Sequence, residues 1–171
     1  MYKWNYLMSP EAEPMFHTIC EYINSHNCKS VLDIGCGYSK ISELLEFPIC
    51  GVDIDEDAIE YCNSNYSGNY KVHDAITVNK ETFGRDFDCL VLSGLLYYFK
   101  DGFANGITMT KYLKNLIQEF SPSLIVVAEP QDIDYHNGPD YSEFIETFNP
   151  SHKLLNLDIR LGERIVYEIK L

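Results

Sequence analysis

Two glycines separated by one residue constrain this chain more than any other stretch. They follow a short apolar run that carries a single acid, in Ser30-Val31-Leu32-Asp33-Ile34-Gly35-Cys36-Gly37-Tyr38-Ser39. Such a run reads as a buried strand that breaks into a tight turn before a helix. Glycine permits φ > 0 and has no Cβ, so a ligand can lie directly against the backbone. The free N–H groups of the following helix face that ligand. A second strand-like run, Phe47-Pro48-Ile49-Cys50-Gly51-Val52-Asp53, also ends in an acid. A glycine turn followed about 20 residues later by a strand-end carboxylate suits a nucleoside lying across two adjacent parallel strands, with the acid on its ribose.

The chain of 171 residues is long enough to bury a full core and is expected to form one domain, 1–171, with 1–28 as an N-terminal lid and helix and 29–171 as the core. No apolar run approaches the roughly 20 residues that span a bilayer, and the first residues are too polar for a signal peptide. The six cysteines are scattered and form no C-x-x-C, which supports neither zinc nor a redox pair and fits a reducing cytoplasm. The net charge of −13 disfavours a nucleic-acid partner, since phosphate binding needs a basic footprint. Between Asn115 and His152 there is no Lys or Arg, while Glu119, Glu129, Asp132, Asp134, Asp140, Glu143 and Glu146 fall there. That concentration reads either as a solvated acidic surface or as a mouth favouring a cationic or amine-bearing substrate.

Along the chain, Ser9-Pro10 offers a helix start, with Pro14 as an alternative, and Met15, Phe16, Ile19, Tyr22 and Ile23 form one buried stripe. The aromatic residues between Trp4 and Met8 suggest a flap. A short helix is expected over Ile41–Phe47, and another opens at Asp55-Glu56-Asp57, where acids complement the helix dipole. Strands are expected over Tyr70–Asp74, Phe87–Ser93 and Leu124–Ala128, with an amphipathic helix from Met109 to Phe120 and a short one over Tyr141–Phe148. Leu155, Leu157, Ile159 and Leu161, then Ile165, Tyr167, Ile169 and Leu171, alternate with polar residues across Gly162-Glu163 as a terminal hairpin. The alternation of strands and helices implies an α/β fold: a Rossmann-like, doubly wound, mostly parallel sheet with helices on both faces and a C-terminal antiparallel hairpin. Asp33, Asp53, Asp74, Ser93 and Glu129 then fall at the strand ends, where ligands bind in such sheets.

From about Lys29 to Leu171 the chain resembles a class I S-adenosylmethionine-dependent methyltransferase. Val31-Leu32-Asp33-Ile34-Gly35-Cys36-Gly37 is similar to the family's first motif, which implies that Asp33 and the turn of Gly35, Cys36 and Gly37 hold the methionine part of the cofactor. Gly51-Val52-Asp53-Ile54 resembles the second, which implies Asp53 on the ribose and Ile54 on the adenine. His73-Asp74-Ala75 resembles the third, implying adenine contacts from the Asp74 side chain and the Ala75 backbone. Ser93-Gly94-Leu95 resembles part of the fourth and would lie under the reactive methyl. Such families commonly carry a third glycine where this chain has Ser39, and a serine there can cap the following helix. An NAD-dependent oxidoreductase on the same architecture would carry a third fingerprint glycine at Lys40. An aminopropyltransferase, or a non-catalytic cofactor-binding subunit, is compatible with the same pocket.

The resemblance implies S-adenosylmethionine as cofactor and methyl transfer to a small-molecule acceptor. The sulfonium makes the methyl electrophilic, so the protein must align a nucleophile and exclude water, and needs a base only if that nucleophile loses a proton. Tyr97, Tyr98 and His136 are the candidates for positioning or proton transfer. No metal is expected: metal-dependent relatives place an acid where Ser93 or Gly94 stands. The minimal length leaves the substrate site either open or completed by a second copy or a partner subunit.

Overall fold

The computed structural model describes residues 10–96, 107–130, 141–157 and 163–171. Seven strands form one sheet: β1 (Val31–Ile34), β2 (Cys50–Asp53), β3 (Asn69–Val72), β4 (Cys89–Ser93), β5 (Leu124–Pro130), β6 (Ser151–Asn156) and β7 (Glu163–Lys170). Their order is β3-β2-β1-β4-β5-β7-β6. The first five run parallel, and β7 pairs antiparallel with both β5 and β6. The helices are α1 (Glu13–Ser25), α2 (Ile41–Leu44), α3 (Glu56–Asn65), α4 (Lys80–Phe83), α5 (Met109–Phe120) and α6 (Ser142–Phe148).

Two hydrophobic clusters flank the sheet, as the doubly wound expectation requires. Met15, Ile19 and Ile23 of α1, Ile41 of α2 and Ile59 of α3 pack on one face with Val31, Val91 and Val126. On the other face Met109, Leu113, Leu116 and Phe120 of α5 and Phe144 of α6 pack with Leu32, Leu90 and Ile125. Alternate residues of the central strands therefore feed opposite cores, which is why these strands read as unbroken apolar runs. Five of the six cysteines are buried, and Cys36 is half-buried. They behave as small hydrophobes.

Several boundaries differ from those expected. The helix over Ile41–Phe47 stops at Leu44, because Leu45 turns extended (ψ 139°) and buries its side chain. Pro48 further disfavours helical backbone at the residue before it. Strand β2 begins at Cys50, and β3 spans Asn69–Val72, so Asp74 lies beyond its strand. Strand β4 begins at Cys89; just before it, the Asp88 carboxylate accepts the N–H groups of Lys29 and Ser30, at 3.0 and 3.1 Å. The hairpin's first strand begins earlier than expected: among the described residues it is Ser151–Asn156, with Leu157 beyond it, while Ile159 and Leu161 lie outside the described residues. Asn149 ends α6 in the left-handed region (φ 42°), and the strand starts directly after Pro150. Helix α1 starts with Pro14 in its first turn, and Ser9 and the aromatic residues before it lie outside the described residues. Asp55 is the N-cap of α3, its carboxylate accepting the N–H groups of Asp57 and Ala58.

Gly68 marks a tight approach between strands. A Cβ there would sit 2.2 Å from the Ile49 carbonyl oxygen, which also accepts the Asn69 N–H. Backbone cannot yield as a side chain can, so Gly68→Ala is expected to cost about 2–3 kcal/mol. Denaturant unfolding should show a lower midpoint with an unchanged slope.

Candidate functional site

The parallel strands all deliver their carboxyl ends to one edge of the sheet. The order reverses between β1 and β4, and a crevice for ligands opens at such a switch point. There the chain leaving β1 makes a turn with three residues at positive φ: Gly35 (75°), Gly37 (48°) and Ser39 (49°). The N–H groups of Gly35 and Cys36 both donate to the Val52 carbonyl, each at 2.9 Å. Gly35 also faces the turn after β4: a Cβ on it would meet Leu95 at 3.2 Å. Among the described residues nothing lies within 4 Å of a Cβ built on Gly37 or Gly94, so both turns face open space.

Asp53 ties these parts together. One carboxylate oxygen accepts the Gly37 N–H at 2.7 Å, and the other accepts the Asp55 N–H at 3.0 Å. A single side chain at the end of β2 thus holds the glycine turn and the entry to α3. A carboxylate has about four lone-pair sites, so both oxygens retain acceptor capacity. Ile54, the next residue, is 64% exposed, an uncovered apolar side chain beside that acid. Asp74 is exposed and accepts the Ile76 N–H at 2.9 Å. Ala75 is buried, and its carbonyl accepts the Tyr112 hydroxyl at 2.7 Å. On β4, the Ser93 hydroxyl is buried with no hydrogen-bond partner among the described residues, while the Gly94 N–H donates to Ala128 at 2.7 Å. A buried hydroxyl left unsatisfied costs free energy, and a bound polar ligand would relieve that cost.

Ser39 and Glu129 take roles that the sequence does not show. Ser39 does not cap α2; it takes the left-handed conformation that glycine adopts at no cost, and Lys40 holds the cap position without a side-chain bond. Its hydroxyl donates instead to Asp33 at 3.3 Å. Glu129, 0% exposed at the end of β5, accepts the Leu96 N–H at 2.8 Å and so anchors the segment leaving β4. Its strand-end position was the available signal. Tyr97, Tyr98 and His136 lie outside the described residues.

The comparisons with known proteins agree with this geometry. Residues 32–116 match the family model described as a methyltransferase domain. The methyltransferase domain of bacterial CtHen1 superposes with a TM-score of 0.64 at 18% identity, covering 92% of this chain and 97% of that one. Magnesium protoporphyrin IX methyltransferase from Synechocystis PCC 6803, with bound SAH, gives 0.68 at 11% identity, covering 94% of this chain and 84% of that one. The 16S rRNA methylase RmtB gives 0.60 at 18% identity, covering 94% of this chain and 64% of that one. No curated protein sequence matches. The family match and the fold are those of a class I S-adenosylmethionine-dependent methyltransferase, which indicates S-adenosylmethionine as the cofactor.

Asp33 is the electrostatic anomaly of the site. Burial pushes its carboxyl up from 3.8 to about 7; the Ser39 hydroxyl pulls it down, and the nearby Asp53 charge pushes it up. The unfolded chain loses this proton near the ordinary value, whereas the folded chain keeps it to about pH 7. Folding stability therefore falls as pH rises through that window, and the full penalty is present above it. Asp33→Asn keeps an acceptor for Ser39 and removes the penalty. The unliganded variant is expected to melt roughly 5–10 °C higher than wild type at pH 8, with little difference at pH 4. A difference that does not depend on pH would contradict this assignment.

Proposed function

We propose that this methyltransferase binds its cofactor across β1, β2 and β4 and transfers the methyl to a small molecule, with an amine-bearing acceptor preferred. The observation that carries the binding mode is Asp53, whose carboxylate holds the Gly37 N–H at 2.7 Å and still offers lone pairs to ribose hydroxyls. Ile54 offers an exposed apolar surface to one face of the adenine, and Asp74 and the Ala75 backbone read its edge. Asp33, Gly35, Cys36 and Gly37 bound the methionine end, and the unsatisfied Ser93 hydroxyl beside Gly94 gives a polar contact there.

The bound sulfonium supplies an electrophilic methyl, so the chain's own task is to orient, enclose and exclude water. Glu129 serves that task by fixing Leu96 at the start of the segment that carries Tyr97 and Tyr98. Those two tyrosines are proposed to line the acceptor, with His136 as the base if the acceptor must lose a proton. The net charge of −13 supports a cationic or neutral small acceptor over RNA, although the similar structures include a 16S rRNA methylase. No described helix is long and apolar enough to cross a membrane. The one-domain organisation, a cytoplasmic location and a second copy or partner completing the site belong to the same reading.

Calorimetric titration with S-adenosylmethionine tests the binding mode. Asp53→Ala removes the tie to the turn together with the ribose acceptor, and should weaken binding by about 2–4 kcal/mol, 30-fold or more. Unchanged affinity in a folded variant would refute the role of Asp53. Transfer of labelled methyl should favour amine-bearing small molecules, and labelling confined to RNA would overturn the acceptor class.

A further inference from the structure

Ser39 is 1% exposed, and its hydroxyl lies 3.3 Å from the Asp33 carboxylate and 2.8 Å from the Ser42 hydroxyl. Ser42 in turn lies 2.5 Å from the Tyr70 hydroxyl, on β3. Each hydroxyl has one proton to give. With Asp33 ionised, Ser39 must spend its proton on the carboxylate, so Ser42 donates to Ser39 and Tyr70 donates to Ser42. All three protons then point toward one acid, an arrangement in which each bond polarises the next. Burial pushes the Tyr70 phenol up to about 12, so it remains a donor over the working pH range. The Tyr70 ring is held from below: a Cβ on Gly51 would meet it at 2.7 Å and the Cys36 thiol at 2.9 Å.

We propose that Ser39, Ser42 and Tyr70 form a hydroxyl relay that positions the Asp33 carboxylate in its charged form for the cationic methionine end of the cofactor. The relay rests on the proposed contact of Asp33 with that end. It also gives a reason for serine at a left-handed position: the hydroxyl supplies Asp33 with a donor that a glycine cannot, at the cost of a strained backbone. The relay reaches a cavity of about 280 Å³ behind the turn, lined by Ser42, Phe47, Asn65, Tyr66 and Tyr70. Among the described residues, the other titratable groups that feel Asp33 are Asp53 of β2, Cys20 of α1, Cys36 of the turn and Cys89 of β4. All are acidic or thiol groups, and none offers Asp33 a compensating cation.

The relay is tested by binding of S-adenosylmethionine as a function of pH, with carbon-13 NMR of the Asp33 carboxyl in the unliganded protein. Ser39→Gly removes the donor without backbone strain, and Tyr70→Phe removes only the distal hydroxyl. Asp33 should titrate higher in both variants. Binding at pH 6.5 should weaken about tenfold for Ser39→Gly and about threefold for Tyr70→Phe, converging on wild type at pH 8.5. Asp33→Asn gives the baseline set by the cofactor's own titration. If both variants lose the same factor at every pH, or titrate as wild type, while Asp33→Asn binds poorly, the relay is refuted and the Asp33 contact stands. If Asp33→Asn binds as wild type with an unchanged profile, the Asp33 contact itself fails and the relay with it.

Discussion

The bond from the Gly37 N–H to the Asp53 carboxylate is the constraint on which the site depends. It joins the loop after β1 to the end of β2, alongside the backbone bonds from Gly35 and Cys36 to Val52. The second Asp53 oxygen holds the Asp55 N–H, and Asp55 caps α3. Register does the rest: Asp33 pairs with Gly51 and Ile34 with Val52, so the acid arrives level with the turn it must hold. A charge-assisted bond at 2.7 Å is about twice as strong as a neutral one, and it fixes a turn that has few other contacts on its open side.

The same region concentrates unfavourable terms. Three residues in five sit at positive φ, one of them a serine, and burial pushes the pKa of the carboxyl beside them up to about 7. The Ser93 hydroxyl has no partner among the described residues. Each feature costs stability in the unliganded protein, and the apolar packing of two cores offsets them. Local strain and unsatisfied polar groups cluster where a ligand completes the structure, and this turn follows that pattern.

Much of this was legible in the sequence. Strand and helix identity, the two-faced packing and the strand-end acids follow from apolar runs, helical stripes and the glycine turn. The strand-end placement of Asp53 was readable from the apolar run before it, whereas its bond to the Gly37 N–H was not. The boundaries around Leu45, Asp74 and Asn149 were not: Leu45 turns extended and buries its side chain, the Asp74 carboxylate accepts the Ile76 N–H, and Asn149 takes the left-handed conformation. Ser39 was read as a helix cap because serine's local preference favours caps. What overrode that preference is tertiary: Asp33 and Ser42 arrive from either side, and no local pattern encodes the Tyr70 hydroxyl from a strand 31 residues further on.

The central claim is that the turn after β1 and the end of β2 jointly form the cofactor cradle. Amide hydrogen exchange with and without S-adenosylhomocysteine tests it directly. The account predicts strong new protection at Gly35–Ser39 and at Asp53–Asp55, with weaker protection at Asp74–Ile76 and Ser93–Leu95. Protection confined to the cavity beside Phe47 and Tyr66, or no change at the glycine turn at saturating ligand, would contradict it.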